Sequence, residues 1–180
     1  MRGLRLATVG KGDPARHLRP TPDRVRESLF NLLEHGGFGD PVPGAEVLDV
    51  FAGTGALGLE ALSRGAARVA FIDEGRVASA LLAENIARAK AEGETRVIRR
   101  NAVRPGPRVG EPATLVFLDP PYGKGLGNKA LEALAAAGWI APGAIVVWEE
   151  NAAQEAPAGF RVVETRRFGE TVLSILEAAG

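Results

Sequence analysis

The sequence predicts a doubly wound α/β fold, in which helices cover both faces of a mostly parallel sheet and a ligand binds at the carboxyl ends of the strands. Short apolar runs of strand length alternate with amphipathic segments of helix length. The first run enters the glycine turn Gly53-Thr54-Gly55 and then a helical pattern, which is the start of a βαβ unit. Acidic residues stand at the tips of several runs, as expected for a site at one edge of such a sheet.

Length and composition indicate one ordinary domain. The chain has 180 residues, 46% hydrophobic and 24% charged, which is enough for a sizeable core but not for two full domains. It has no cysteine and only His17 and His35 as imidazoles, so we expect neither disulfides nor a metal site. No run is long enough to span a membrane, and the N-terminus lacks the apolar core of a signal peptide. We therefore expect a cytoplasmic protein without membrane association.

Residues 1–20 are predicted to form a basic arm, and residues 21–180 the single folded domain. Residues 1–26 contain seven basic side chains and two acidic ones, which makes the arm a candidate for binding phosphates. The alternative is a solvated segment of an arginine-rich protein. The candidate RNA-binding residues of the arm are Arg2, Arg5, Lys11, Arg16 and Arg19.

Order is expected to begin at Thr21, at the start of an amphipathic helix. Thr21-Pro22-Asp23 offers a capping hydroxyl, a proline at the first helical position and an acid in the first turn. Apolar residues then repeat at helical spacing until about residue 34, where two glycines follow. The free N–H groups at the start of this helix could bind a carboxylate.

The remaining elements follow in a regular order. Strands are predicted at residues 46–51, 68–72, 96–99, 115–118 and 144–148, with a closing antiparallel hairpin at 160–167 and 171–176. Further helices are predicted at residues 56–64, 77–90 and 128–137. Between residues 103 and 111, Pro105 and Pro107 should prevent a long helix.

The fourth strand runs into Asp119-Pro120-Pro121-Tyr122, the motif most indicative of chemistry. Proline has a fixed φ and no N–H, so the nearby carbonyls remain free acceptors. Asp119 adds a carboxylate and Tyr122 a flat ring. Acceptors beside an aromatic ring suit a planar ligand with an amino group, such as an extruded nucleobase. The alternative is a rigid loop in which Asp119 caps the next helix and Tyr122 fills a gap.

The glycine turn and its neighbouring acids indicate a nucleoside cofactor that carries positive charge. Residues 53–58 match the dinucleotide fingerprint G-x-G-x-x-G, and Asp73 lies where a ribose-binding acid would sit. Asp49 would repel a pyrophosphate but attract the ammonium of S-adenosylmethionine. Asn101 should lie near the adenine edge. The alternatives are helix capping or a salt bridge for the two acids and an ordinary turn for Asn101. The cofactor-binding candidates are Thr21, Asp49, Phe51, Gly53, Gly55, Asp73, Asn101 and Ala102.

Three segments give the chain a family resemblance. Residues 18–31, 48–65 and 119–122 resemble the RsmD family of small-subunit (16S) ribosomal RNA guanine-N2 methyltransferases, of the class I S-adenosylmethionine-dependent type. The resemblance implies a Rossmann-like sheet of seven mostly parallel strands, and a monomer that methylates a guanine in the helix 31 loop of the assembled 30S subunit. A shorter arm, the proline-broken segment after Asn101, and Asp73 in place of the more common glutamate depart from the family pattern.

Methyl transfer to an amino group requires that its lone pair point at the methyl carbon. We expect Asp119 and the Pro120 carbonyl to accept the two amino hydrogens while Tyr122 stacks on the extruded base, so these three are the predicted catalytic residues. One alternative is an adenine-N6 methyltransferase of DNA or RNA, although a separate target-recognition domain does not fit in this length. An NAD-dependent oxidoreductase would leave Asp49 and the proline loop without a role. A non-catalytic RNA-binding protein would explain only the arginines.

Overall fold

The structure is a computed structural model that describes residues 6–7 and 21–180. The described residues form seven strands, four α-helices and one short 3-10 helix, Glu92–Glu94. The strands are β1 Glu46–Val50, β2 Arg68–Ile72, β3 Thr95–Ile98, β4 Ala113–Leu118, β5 Ile140–Glu150, β6 Phe160–Phe168 and β7 Thr171–Ala178. The helices are α1 Asp23–His35, α2 Ala56–Ser63, α3 Arg76–Ala89 and α4 Leu126–Ala136.

The strands form one sheet in the order β3-β2-β1-β4-β5-β7-β6. β1 to β5 run parallel, and β7 is antiparallel to both of its neighbours. The carboxyl ends of the five parallel strands lie along one side of the sheet, here called the carboxyl edge. Because the chain moves outward from β1 to β3 and then returns to β4, the switch point lies between β1 and β4. The predicted α/β fold and its closing hairpin are confirmed.

Helices cover both faces of the sheet. On one face α1, α2 and α3 contribute Leu29, Leu57 and Leu82 to a buried cluster. On the other face α4 contributes Leu131 and Leu134 to a second cluster. The inner strands of the sheet are thus mostly apolar on both sides, whereas the edge strand β6 is largely exposed and carries charged side chains along its length. None of the described helices is long and apolar enough to cross a membrane.

The predicted element boundaries agree with the structure to within two residues except at the start of β5, which begins at Ile140 instead of residue 144. Pro142 and Gly143 interrupt the apolar pattern there, but both residues are exposed and the strand continues through them. Ala113 pairs with Ile140, and the register then shifts before Leu115 pairs with Ile145. The irregularity accommodates a proline that a regular inner strand would exclude.

One expectation about the N-terminal region is wrong. Thr21 does not cap α1: Pro22 occupies the cap position, and the Thr21 hydroxyl donates to Glu149 Oε2 at 2.9 Å. Two residues before Thr21 also contact the domain, since Leu6 packs on the core and Ala7 forms hydrogen bonds with Asn85. As an N-cap, the threonine hydroxyl would accept a hydrogen bond from a backbone N–H. Here it donates to a buried carboxylate that the fold brings next to it, and hydrogen bonds to carboxylates are the stronger kind.

The rest of the predicted arm lies outside the described residues. This includes all of its candidate RNA-binding side chains, Arg2, Arg5, Lys11, Arg16 and Arg19.

Candidate active site

The glycine turn follows β1 at the centre of the carboxyl edge. Phe51 adopts a left-handed conformation with φ 58°, a strain of about 1–3 kcal/mol for a residue other than glycine. Gly53 and Gly55 also have positive φ, at 56° and 80°, which glycine adopts without strain. A Cβ on Gly55 would clash with Leu82 of α3. The predicted turn is therefore present, and Gly55 is required by conformation as well as by packing.

Asp49 lies in β1 just before this turn, and its side chain is buried. Its Oδ2 accepts a hydrogen bond from Gly58 N at 3.0 Å, in the first turn of α2, and its Oδ1 accepts none from the described residues. Burial raises the pKa of Asp49 to about 8; the Gly58 bond lowers the pKa and the charge of Asp73 raises it further. Asp49 caps the helix, as the alternative interpretation held, and retains a free oxygen that a cationic ligand could neutralise.

Asp73 and Asn101 follow the ends of β2 and β3. Asp73 accepts from Gly53 N at 2.9 Å and from Gly75 N at 2.8 Å, so it ties the glycine turn to β2. Each of its oxygens can accept a second bond, for example from a ribose hydroxyl. Asn101 Oδ1 accepts from Val103 N at 3.0 Å in a local turn, while its amide nitrogen has no partner among the described residues. Ala102, next to it, is buried.

Asp119 follows β4, on the other side of β1. Its carboxylate and the Pro120 carbonyl accept no hydrogen bond from residues 6–7 or 21–180, and Asp119 is half-buried. Burial raises the pKa of Asp119 well above its usual value, and the charges of Glu149, Asp49 and Glu150 raise it further. Two acceptors held without donors at a half-buried strand tip are the arrangement that an incoming amino group would satisfy.

Glu149 and Glu150 end β5 and support the Asp119 loop. Buried Glu149 accepts from the Thr21 hydroxyl and interacts with the Tyr122 hydroxyl, and both hydrogen bonds lower a pKa that burial raises. Glu150 Oε1 accepts from Gly123 N at 3.0 Å. The two acids therefore hold the Asp119 loop in place. Among the described residues, no three acidic or imidazole side chains converge into a metal site.

Tyr122 presents its ring at the surface of this site. The side chain is 39% exposed, and burial of the hydroxyl end, with the charges of Glu149 and Asp119, raises its pKa to about 12, although a Thr171 hydrogen bond opposes the shift. Helix α4 is capped by Gly125 without a side-chain hydrogen bond. The alternative in which Asp119 caps this helix and Tyr122 fills a gap is therefore wrong.

Known proteins match almost the whole chain. The family model described as Conserved hypothetical protein 95 matches residues 1–177. Ribosomal RNA small subunit methyltransferase D of Escherichia coli is 39% identical over 89% of this chain and 79% of its own length. The chain belongs to the RsmD family. The protein of the same name from Haemophilus influenzae is 36% identical over 73% of this chain and 67% of its own length.

Solved structures agree with the RsmD assignment. One from Escherichia coli has a TM-score of 0.77 and 38% identity, and the match covers 90% of this chain and 88% of that one. A conserved hypothetical protein of Streptococcus pyogenes has a TM-score of 0.72 and 29% identity, over 86% of this chain and 96% of the other. This RsmD-family chain is a methyltransferase, so the oxidoreductase and the non-catalytic RNA-binding protein are wrong.

The candidate site of this RsmD-family chain contains three residues that the sequence analysis missed. Glu149 and Glu150 carried the same signal as Asp49 and Asp119, acidic residues at the end of a buried strand. Asn85, fully buried in α3, donates to the Thr54 carbonyl of the glycine turn at 2.8 Å and exchanges two hydrogen bonds with Ala7. A lone amide on the apolar face of an alanine-rich helix was its signal. Removing residues 1–16 would therefore leave buried Asn85 short of partners beside the turn.

Proposed function

We propose that this protein transfers the methyl group of S-adenosylmethionine to the exocyclic N2 of a guanine in 16S rRNA. The observation that carries the proposal is the pair of unpartnered acceptors at the strand tip, the Asp119 carboxylate and the Pro120 carbonyl. The named relatives, which are ribosomal RNA small subunit methyltransferases, support an RNA substrate. We further propose the helix 31 loop of the assembled 30S subunit as the target, and a cytoplasmic monomer as the active form.

The part of the carboxyl edge at the ends of β1, β2 and β3, here called the cofactor half, fits S-adenosylmethionine. The free Oδ1 of Asp49 suits the ligand ammonium, the turn around Gly53 and Gly55 allows close approach, and Asp73 can accept from the ribose hydroxyls. We propose that Phe51, Asn101 and Ala102 hold the adenosine end, where the Asn101 amide is a free donor. Thr21 differs from the other candidates because its hydroxyl already donates to Glu149, so we propose that it positions Glu149 instead.

When bound, the cofactor supplies an electrophilic methyl group, and the protein has to orient the nucleophile. The N2 lone pair is delocalised into the guanine ring. Hydrogen bonds from both amino hydrogens, to Asp119 and to the Pro120 carbonyl, would turn it toward the methyl carbon. The amino nitrogen gains one methyl and must lose one proton. A carboxylate whose pKa is raised by burial and by neighbouring charges is suited to take up that proton.

Tyr122 is proposed to stack on the extruded base. Its ring is accessible, and its hydroxyl is held through Glu149 and Thr171, so the ring is oriented before the base arrives. The basic arm, with Arg2, Arg5, Lys11, Arg16 and Arg19, is proposed to bind the surrounding RNA phosphates. The folded domain of residues 21–180 would then carry the chemistry.

The test is methylation of 30S subunits and of free 16S rRNA with labelled S-adenosylmethionine, followed by digestion to nucleosides. We expect the label in N2-methylguanosine, with assembled subunits preferred over free rRNA. Label in N6-methyladenosine would show that the acceptor loop serves adenine, and absence of label with both substrates would contradict the proposal. Asp119→Asn provides the inactive control. Light scattering during gel filtration tests the monomer.

A further inference from the structure

A second basic region lies at the opposite end of the cofactor half from the Asp119 loop. Residues 95–110, which form β3 and the loop that follows it, contain five basic side chains and no acidic one. β3 is one of the two edge strands of the sheet, and the loop begins at the carboxyl edge. The five side chains are Arg96, Arg99, Arg100, Arg104 and Arg108.

Two of these arginines hold the loop in shape. Arg100 Nη1 donates to the carbonyls of Pro105 and Pro107, at 2.7 Å and 3.0 Å. Arg108 donates to the carbonyls of Gly110 and Gly138, at 2.9 Å and 3.1 Å. The buried Trp139 indole adds a hydrogen bond to the Gly106 carbonyl at 2.9 Å. The loop is therefore braced at several points, although it has no regular secondary structure.

The other three arginines are exposed, and their side chains form neither a hydrogen bond nor an ion pair with any described residue. Arg96 lines a groove at the amino ends of the strands together with Glu94 and Glu111, which offset its charge. Arg99 and Arg104 lie toward the carboxyl edge. There Asp73 is occupied by two backbone N–H groups, which leaves Glu74, in the loop after β2, as the nearby exposed acid.

We propose that Arg99 and Arg104 bind phosphates of the RNA strand that continues away from the target base. Arg104 N donates to the Asn101 carbonyl at 2.9 Å, so the Arg104 backbone is fixed next to the cofactor half. β3 and β4 are three strand spacings apart, about 14 Å, a distance that a few nucleotides of single-stranded RNA can cover. The inference rests on the proposed RNA substrate and extends it to a second contact region.

A simpler explanation is that charges on β3 prevent edge-to-edge pairing of sheets, as charges on edge strands do. That explanation covers Arg96 and the end of β3. It does not explain Arg104, which lies beyond the strand on a braced loop, where no sheet edge needs protection. Bracing reduces the entropy lost when a side chain on the loop binds, which is a property of a binding surface.

The experiment compares three variants with the wild type. Arg99→Gln/Arg104→Gln removes both charges, and Arg99→Lys/Arg104→Lys keeps them. Arg161→Gln, at the start of β6 and far along the sheet, is the control for loss of a surface arginine, here one that pairs with Glu177. Binding to 16S rRNA and 30S subunits is measured over a range of salt concentrations, together with KM and kcat for methyl transfer and the affinity for S-adenosylhomocysteine.

For the double glutamine variant, we expect the slope of the logarithm of the binding constant against the logarithm of salt concentration to become less steep by roughly 1 to 2, the value for two phosphate contacts. Its KM for RNA should rise roughly tenfold, while kcat and cofactor affinity stay near wild type. The lysine variant should retain most of the slope, and Arg161→Gln should match the wild type.

Wild-type slope and KM in the double glutamine variant would overturn the inference, and so would an equal loss in Arg161→Gln. The salt dependence is measured by binding, so it tests this surface even if methyl transfer fails. Failure of the wild type to methylate rRNA would instead contradict the proposed function.

Discussion

The two halves of the carboxyl edge use the same side chains in opposite ways. In the cofactor half, Asp73 accepts two backbone N–H groups and Asp49 accepts one, so these carboxylates build the glycine turn. In the substrate half, which is the part of the edge at the ends of β4 and β5, Asp119 accepts no hydrogen bond from the described residues and lies beside Glu149 and Glu150. The cofactor half is thus largely satisfied by the protein itself, whereas the substrate half holds acceptors whose donors have to come from a ligand.

This difference has an energetic consequence. Burial raises the pKa of Asp49 and of Asp119, but only Asp49 has a hydrogen bond that opposes the shift. A carboxyl group with a raised folded-state pKa binds more protons in the folded than in the unfolded protein. The free energy of unfolding therefore decreases as pH rises from about 4, the unfolded value, through the folded pKa. Stability is given up in the substrate half, where we propose that the chemistry takes place.

The largest effect should come from Asp119→Asn, which breaks the substrate half. Losing the carboxylate should lower kcat by roughly 10²–10⁴-fold, the usual contribution of a proton acceptor. Affinity for S-adenosylhomocysteine should stay within a few-fold of wild type. The free energy of unfolding of the variant should also fall less than that of the wild type as pH rises, because the carboxyl group with the raised pKa has been removed. Near-normal turnover, or an unchanged pH dependence of stability, would contradict this account of Asp119.

The second-largest effect is expected for Asp49→Asn, a variant that tests the cofactor half. The variant should bind S-adenosylhomocysteine about 1–3 kcal/mol more weakly, the value of a charge-assisted hydrogen bond. In the protein without ligand, Asp49 has a pKa of about 8 and is therefore mostly protonated near neutral pH. It must ionise to pair with an ammonium. Wild-type binding should therefore release most of one proton, and the variant should release none. Calorimetry in buffers of different ionisation enthalpy, at about pH 6.5, below the usual range of an α-amino group, measures this release.

A comparison of Tyr122→Ala with Tyr122→Phe separates the ring from its hydroxyl. Removing the ring should cost about 1–3 kcal/mol in kcat/KM for RNA, the range for base stacking. The phenylalanine variant should lose less, because the face remains but the hydrogen bonds to Glu149 and Thr171 are gone. Cofactor affinity should not change in either variant. Equal damage in both would show that the hydroxyl, and not stacking, is essential.

The smallest effect is expected for Glu150→Gln, which sharpens the electrostatic difference between the two halves. The glutamine oxygen can still accept from Gly123 N, so loop and fold should persist. Loss of one neighbouring negative charge should lower the pKa of Asp119 slightly, because Glu150 contributes least of the three neighbouring acids that raise it. The rising limb of the pH profile of kcat should move to lower pH. A shift to higher pH would refute the assumed repulsion.

Much of the fold could be predicted from the sequence because its signals are local. Periodic apolar residues, the glycine turn and the Asp119 loop each lie within a short segment, where spacing and residue type determine the backbone. The same holds for Asp49 and Asp73, which lie at predicted strand tips. Parallel strands bring their carboxyl ends to one edge, so these acids could be expected to meet before the structure was known.

Contacts between distant segments were decided only by the tertiary structure. Thr21 has the local signature of a helix cap, yet its hydroxyl binds Glu149, 128 positions away. Asn85 joins α3 to Thr54 and Ala7, and Arg100 and Trp139 brace a loop that looks merely proline-broken in the sequence. Local propensity is weak, whereas a buried polar group without a partner is costly, so the packed fold determines where such groups find their partners.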